Sequence, residues 1–104
     1  MANRHKNYDD VMVKKFENPQ YAQEYLLNIV ESEELSIDEA LRETIKAMSL
    51  QAFSERSGLS IQAVSDFVAK RQKWSTDKLV KQIGNVFNLK VKLSLETPDS
   101  SEVA

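Results

Sequence analysis

The sequence has no cysteine, one histidine, two glycines and two prolines in 104 residues, and each scarcity closes a class of function. Without cysteine there is no disulfide framework, no thiolate metal site and no catalytic thiol. His5 stands in a weakly patterned stretch with no second His or Cys beside it, so it offers neither a metal site nor a catalytic relay. Gly58 and Gly84 are too far apart to form a glycine-rich phosphate loop. No segment approaches the roughly 18 consecutive apolar residues of a membrane span. The opening MANRHKNYDD has no apolar run, so secretion and membrane insertion are not expected and a cytoplasmic location is. The many carboxylates of the first half are spread over helical positions and read as a solvated face. The expectation is a protein that is not an enzyme and uses no metal or cofactor.

The chain is long enough for one domain with a modest core, at 41% hydrophobic residues. Its net charge of −2 hides an asymmetry. Residues 1 to 49 hold six Lys/Arg against ten Asp/Glu, a balance of −4. Residues 50 to 92 hold eight (Arg56, Lys70, Arg71, Lys73, Lys78, Lys81, Lys90, Lys92) against three, a balance of +5, and residues 93 to 104 return to −3. A basic middle segment in an acidic chain is the pattern that attraction to phosphates requires; a solvated basic face with no ligand is the plainer alternative.

The most patterned stretch lies inside that basic segment, from Leu50 to Ala69. Phe53, Leu59, Val64 and Phe67 are apolar at the offsets of two helices crossing through a tight turn. Ser54 is small enough for a second helix to approach, Gly58 can take the left-handed conformation that ends the first helix, and Ser60 can cap the second. Three further helices flank the pair. Asn18 and Pro19 signal the start of the first, with Tyr21, Ala22, Tyr25, Leu26, Ile29 and Val30 on its apolar side and an acidic turn at Glu31 to Glu34. Ser36 and Glu39 form a capping box for the second, whose buried side is Ile37, Leu41, Ile45 and Met48. The third runs from Leu50 to Ser57 and the fourth from Ile61 to Lys70. Ser75 caps the fifth, where Leu79, Val80, Ile83, Val86 and Phe87 recur at helical spacing until Asn88.

From Leu89 the period becomes two. Leu89, Val91, Leu93 and Leu95 alternate with Lys90, Lys92, Ser94 and Glu96, the pattern of a short strand. A lone strand leaves its own backbone groups unpaired, so it needs the amino-terminal arm or a second copy of the chain, and a homodimer is the expectation. Residues 1–17 read as a partly flexible arm that Val11, Val13 and Phe16 could pin, residues 18–96 as the folded domain, and residues 97–104 as a disordered tail.

The order NPQYAQEYL, IDEALRETIKAM, the helix pair, and STDKLVKQIGNVFNLKVKLSLE resembles the antidote proteins of HigA-type addiction modules, within the wider Xre/phage-repressor class of helix-turn-helix proteins. The resemblance covers Asn18 to Glu96. It implies a mainly α, five-helix, lambda-repressor-like domain that binds a double-stranded DNA operator, represses its own operon and, in the antidote branch, neutralises a cognate RNA-cleaving toxin. Several positions depart from the pattern: Leu50 stands where the class often has Gln, with Gln51 one place later, Ser57 stands at the small-residue position near the end of the third helix, and Lys73-Trp74 stands where Asn-Pro is usual.

On that fold the fourth-helix residues facing away from the core are Ile61, Gln62, Ala63, Ser65, Asp66 and Ala69, and they would enter the major groove. Gln62 can pair with adenine, Ser65 with several base edges, and Ala63 with a thymine methyl; Asp66 can accept from a cytosine amino group or orient Lys70 or Arg71. Gln51, Lys70, Arg71, Lys73, Ser75 and Lys78 are the candidate phosphate contacts, the last two at a helix start with free backbone N–H groups. Trp74 reads as the lid of a small core rather than a stacking platform. Gly84, inside the fifth helix, reads either as a close-contact site between subunits or as a tolerated weak spot. The alternatives to an antidote are a free-standing Xre-type regulator and, because the fourth helix carries little positive charge, a protein-interaction module that has lost DNA binding.

Overall fold

The computed structural model describes residues 11–32, 35–92 and 95, and the chain is mainly helical. Among the described residues, a helical turn at 11–15 is followed by α1 (Pro19–Ser32), α2 (Ile37–Met48), α3 (Leu50–Ser57), α4 (Ile61–Val68) and α5 (Thr76–Phe87). The arm at 1–10 with His5, the acidic turn residues Glu33 and Glu34, the strand positions Leu93, Ser94 and Glu96, and the tail at 97–104 lie outside the described residues. No helix among the described residues is long and apolar enough to cross a membrane.

Each helix starts at a side-chain oxygen that accepts one of its orphan N–H groups. Asn18 Oδ1 accepts from Gln20 N at 2.9 Å, Ser36 Oγ from Glu39 N at 3.4 Å, Ser49 Oγ from Ala52 N at 3.0 Å, Ser60 Oγ from Ala63 N at 3.1 Å and Ser75 Oγ from Lys78 N at 3.2 Å. Ser49 serves two helices, because its own N–H bonds Ile45 O at 2.9 Å to close α2, and its backbone takes φ 94° to turn the chain into α3 within one residue. Gly58 and Asn88 end α3 and α5 in the left-handed region, at φ 80° and 55°. α1 continues to Ser32, one residue past the Glu31 at which the sequence reading ends the helix and begins the turn.

All four phenylalanines of the chain, Phe16, Phe53, Phe67 and Phe87, are at most 2% exposed, so they set the centre of the core. Burying each contributes about 1.5–3 kcal/mol. α1 packs on α2 and α5, α2 on α3 and α4, and α3 on α4 and α5. Phe16 lies upstream of the first predicted helix yet is wholly buried, its ring edge-on to Tyr21 at 5.1 Å and Tyr25 at 5.0 Å. Gln23 of α1 donates to the carbonyls of Phe87 and Asn88, each at 3.2 Å, and so satisfies the carboxyl end of α5 from across the core.

Two expectations change. Ile37, predicted to be buried, is 37% exposed, because it occupies the first turn of α2 and only borders a cleft shared with Leu26, Leu27, Val30 and Ile83. The predicted strand does not appear among the described residues. Leu89 and Val91 instead lie half-buried against the core and line the same cleft, while Leu95 is fully exposed. The alternation there serves to pack one side of an irregular segment, with no neighbouring strand among the described residues to pair with it.

Gly84 is exposed, and a Cβ placed on it would meet only the Leu89 carbonyl oxygen at 3.7 Å, an ordinary contact. Within one chain nothing requires glycine there. Gly84→Ala is therefore expected to raise stability by about 0.5–1 kcal/mol in denaturant melts; a loss of stability would mean that this face is covered by something other than the chain's own residues.

Candidate nucleic-acid interface

α3 and α4 are joined by Gly58, Leu59 and Ser60 alone. The turn is braced from both sides: Gly58 N–H bonds Ser54 O at 3.0 Å, and the Ser54 hydroxyl reaches forward to donate to Leu59 O. The small residue expected at Ser54 on steric grounds thus also holds the turn by a hydrogen bond. Val64 and Phe67 point into the core, whereas Ile61, Gln62, Ala63, Ser65, Asp66 and Ala69 stay outside the buried set, as the sequence periodicity requires.

α4 stops at Val68, two residues short of the predicted Lys70. The reason is a left-handed stop made without glycine. Lys70 takes φ 65°, its N–H bonds Phe67 O at 3.1 Å, and Arg71 N–H bonds Asp66 O at 2.8 Å, the paired bonds of a Schellman ending. The same Phe67 carbonyl also accepts from a different helix, from the Arg42 Nε of α2 at 2.8 Å. Arg42 is 5% exposed, its Nη1 meets Asp38 Oδ2 at 2.9 Å, and its guanidinium lies 4.4 Å from the centre of the Phe67 ring. The Phe67 ring is stacked on Trp74 at 3.9 Å and 10°, and Lys78 Nζ sits 4.8 Å over the Trp74 ring. This series fixes α4 against α2 and against the start of α5. Trp74, 7% exposed and also stacked on Phe53, belongs to the core, as the sequence reading expects. Arg42 was not anticipated; a charged residue in an acidic helix reads as surface unless its long stem is seen to lie along apolar neighbours.

On the exposed side of α4 four of the candidate residues are joined. Asp66 Oδ1 accepts from Gln62 Nε2 at 3.0 Å and from Arg71 Nε at 2.9 Å, and Arg71 Nη2 donates to Ser65 Oγ at 3.2 Å. Asp66 does orient Arg71, one of the two roles expected for it. The basic residues after α4 have different surroundings. Lys70 borders a shallow hollow beside Glu39, Glu43 and Lys46 of α2, Arg71 folds back onto α4, and Lys73 is exposed. Gln51 is exposed and donates to Glu55 at 3.4 Å. At the start of α5, Ser75 already satisfies the Lys78 N–H, and the Lys78 ammonium is placed over Trp74.

Compared with family models, curated proteins and solved structures, the chain matches none. Among the described residues no group of His, Cys, Asp or Glu is placed to hold a metal ion.

The Ser36 hydroxyl donating to Asp38, together with the adjacent Arg42 guanidinium, holds the Asp38 carboxyl below its ordinary value of 3.8, against the opposing effect of partial burial. A lowered folded-state value means that the stabilisation is complete above pH 3.8 and is lost as pH falls through the folded value. Melts from pH 5 down to 3 should show Asp38→Asn losing stability less steeply than the wild type over that acid range. Arg42→Ala, which removes the bond to Phe67 O, the ion pair and the ring contact together, should cost about 2–4 kcal/mol. Arg42→Lys should recover little of this, because an ammonium lacks the planar fork whose separate nitrogens meet Phe67 O and Asp38 and whose face covers the ring; full recovery would show that charge alone holds α4.

Proposed function

We propose that this chain is a sequence-specific DNA-binding transcriptional repressor, that α3 and α4 act as its helix-turn-helix, and that α4 is the helix presented to the major groove. The observation carrying this reading is the combination on α4 itself: a rigidly capped two-turn helix, packed through Val64 and Phe67, that shows Ile61, Gln62, Ala63, Ser65 and Asp66 to solvent inside a segment of charge +5. Hydrogen-bonding groups on an exposed helix suit base edges, and the basic residues around them suit phosphates. Lys70 and Lys73 are the better phosphate contacts, with Gln51, Ser75 and Lys78 as subsidiary ones, and Gln62 and Ser65 reach bases. The reading includes a homodimer with half-sites about 34 Å apart.

The antidote role is the finer proposal. It is supported by the resemblance of residues 18–96 and by the acidic first half, at −4, which suits a basic ribonuclease better than it suits DNA. Co-purification with the product of a neighbouring reading frame tests it, and absence of any such complex leaves a free-standing cytoplasmic regulator.

DNA binding is tested by titrating salt against affinity for a duplex selected from a random pool. Lys70→Ala with Lys73→Ala should leave the melt within about 0.5 kcal/mol per substitution. It should also flatten the dependence of log affinity on log salt by about one unit for each phosphate contact removed per subunit. An unchanged slope with a normal melt would show that Lys70 and Lys73 do not meet the backbone, and a wild type that binds no duplex at low salt would move the assignment to a protein-interaction module.

A further inference from the structure

Arg71 belongs by position to the basic residues after α4, yet its guanidinium is bonded back onto that helix. Nε is held by Asp66 at 2.9 Å and Nη2 by Ser65 at 3.2 Å, so one edge of the planar group is committed to α4. The backbone enforces the return: Lys70 turns left-handed and the Arg71 N–H closes on Asp66 O, which brings the residue back beside the last turn of the helix. Asp66 is anchored from the other side by Gln62 in the first turn. The guanidinium edge left over, Nη1 and the second hydrogen of Nη2, is a two-donor fork on a side chain that is more than half exposed beside α4.

We propose that Arg71 is a base-reading residue, selecting guanine through this fork, with Asp66 as its positioning residue. Guanine presents two acceptors, O6 and N7, side by side in the major groove, and a fork of parallel N–H donors matches them. Charge argues the same way. The Arg71–Asp66 pair is neutral, and a carboxylate beside a phosphate would cancel the attraction that a phosphate contact depends on. A base edge carries no net charge, so a neutral pair with oriented donors loses nothing there.

The inference rests on the DNA-binding reading above, and the experiment separates the two. Wild type, Arg71→Lys and Asp66→Ala are each used to select from a duplex library with a randomised centre, and salt titrations are run on the wild-type consensus duplex, with thermal melts as folding controls. Arg71→Lys keeps the charge and loses the fork. A lysine can still donate to guanine O6 or N7 but without the fixed fork, so the variant should weaken preference for one guanine per half-site by about tenfold, with the salt slope unchanged. Asp66→Ala should weaken the same preference and steepen the slope by about one unit per subunit, because the released cation can then meet a phosphate. Should Asp66→Ala fail to fold, Asp66→Asn is read for the same steeper slope. Unaltered base preference in Arg71→Lys, or an unaltered slope in the Asp66 variant, overturns the role of Arg71 while leaving DNA binding in place. Wild type that binds duplexes without enriching any sequence does the same. Wild type that binds no duplex at low salt overturns both.

Discussion

The position of α4 depends on one buried cation. Arg42 leaves α2, runs under the Phe67 ring and donates to the Phe67 carbonyl, so that a single side chain holds both the ring and the carboxyl end of the neighbouring helix. An eight-residue helix is about 12 Å long and does not persist alone in water. Its stability has to come from its ends and its buried side. Ser60 supplies the first end, Lys70 and Arg42 the second, and the Phe67–Trp74 stack the side. A buried guanidinium is costly to desolvate unless its donors are used; here Nε has the carbonyl, Nη1 has Asp38, and the ring covers a face. Asp38 in turn is held in its charged form by Ser36, so the cap of α2 and the anchoring of α4 are one connected set of bonds.

That rigidity decides how the exposed side can be used. Gln62, Ser65 and Asp66 stand on a helix anchored at both ends, and Arg71 is bonded to two of them. Groups arranged before a ligand arrives lose less conformational freedom on binding than groups that must be ordered by it. The Arg71–Asp66 ion pair itself adds little stability, since Arg71 is 57% exposed by side chain and such pairs are screened by water. Its effect is directional, through the orientation it gives the guanidinium.

Much of this fold was legible because its punctuation is local. Ser36, Ser60 and Ser75 cap the helices they were expected to cap, Gly58 and Asn88 end theirs, and the bounds of α3 agree to the residue. A cap is a bond between residues two or three apart, so the sequence carries it directly. What was not legible depends on distant partners. Arg42 is buried because Phe67, 25 residues later, offers it a carbonyl and a ring. Lys70 ends α4 in a conformation that usually marks glycine, so periodicity carried the helix two residues too far. Phe16 follows a stretch too short to show a period, and its burial rests on Tyr21 and Tyr25. The alternating segment after Asn88 looked like a strand because one apolar side is buried, which irregular chain laid on a core achieves equally well.

The same distinction applies to the candidate interface. Which residues face outward on α4 follows from helical spacing, and the sequence identified them. How they are linked does not follow from spacing, because Arg71 lies beyond the helix and returns only through the turn at Lys70. The basic residues of this segment therefore differ in their partners: Lys70 lines a hollow with Glu39 and Glu43 of α2, Lys78 lies over Trp74, and Arg71 is bonded to Asp66. On the proposed reading, a chain of net charge −2 with its basic residues so placed gains little from unspecific attraction to a polyanion. Discrimination would then rest on a few oriented donors and acceptors, and a protein built that way would bind few sites, each because its base edges fit.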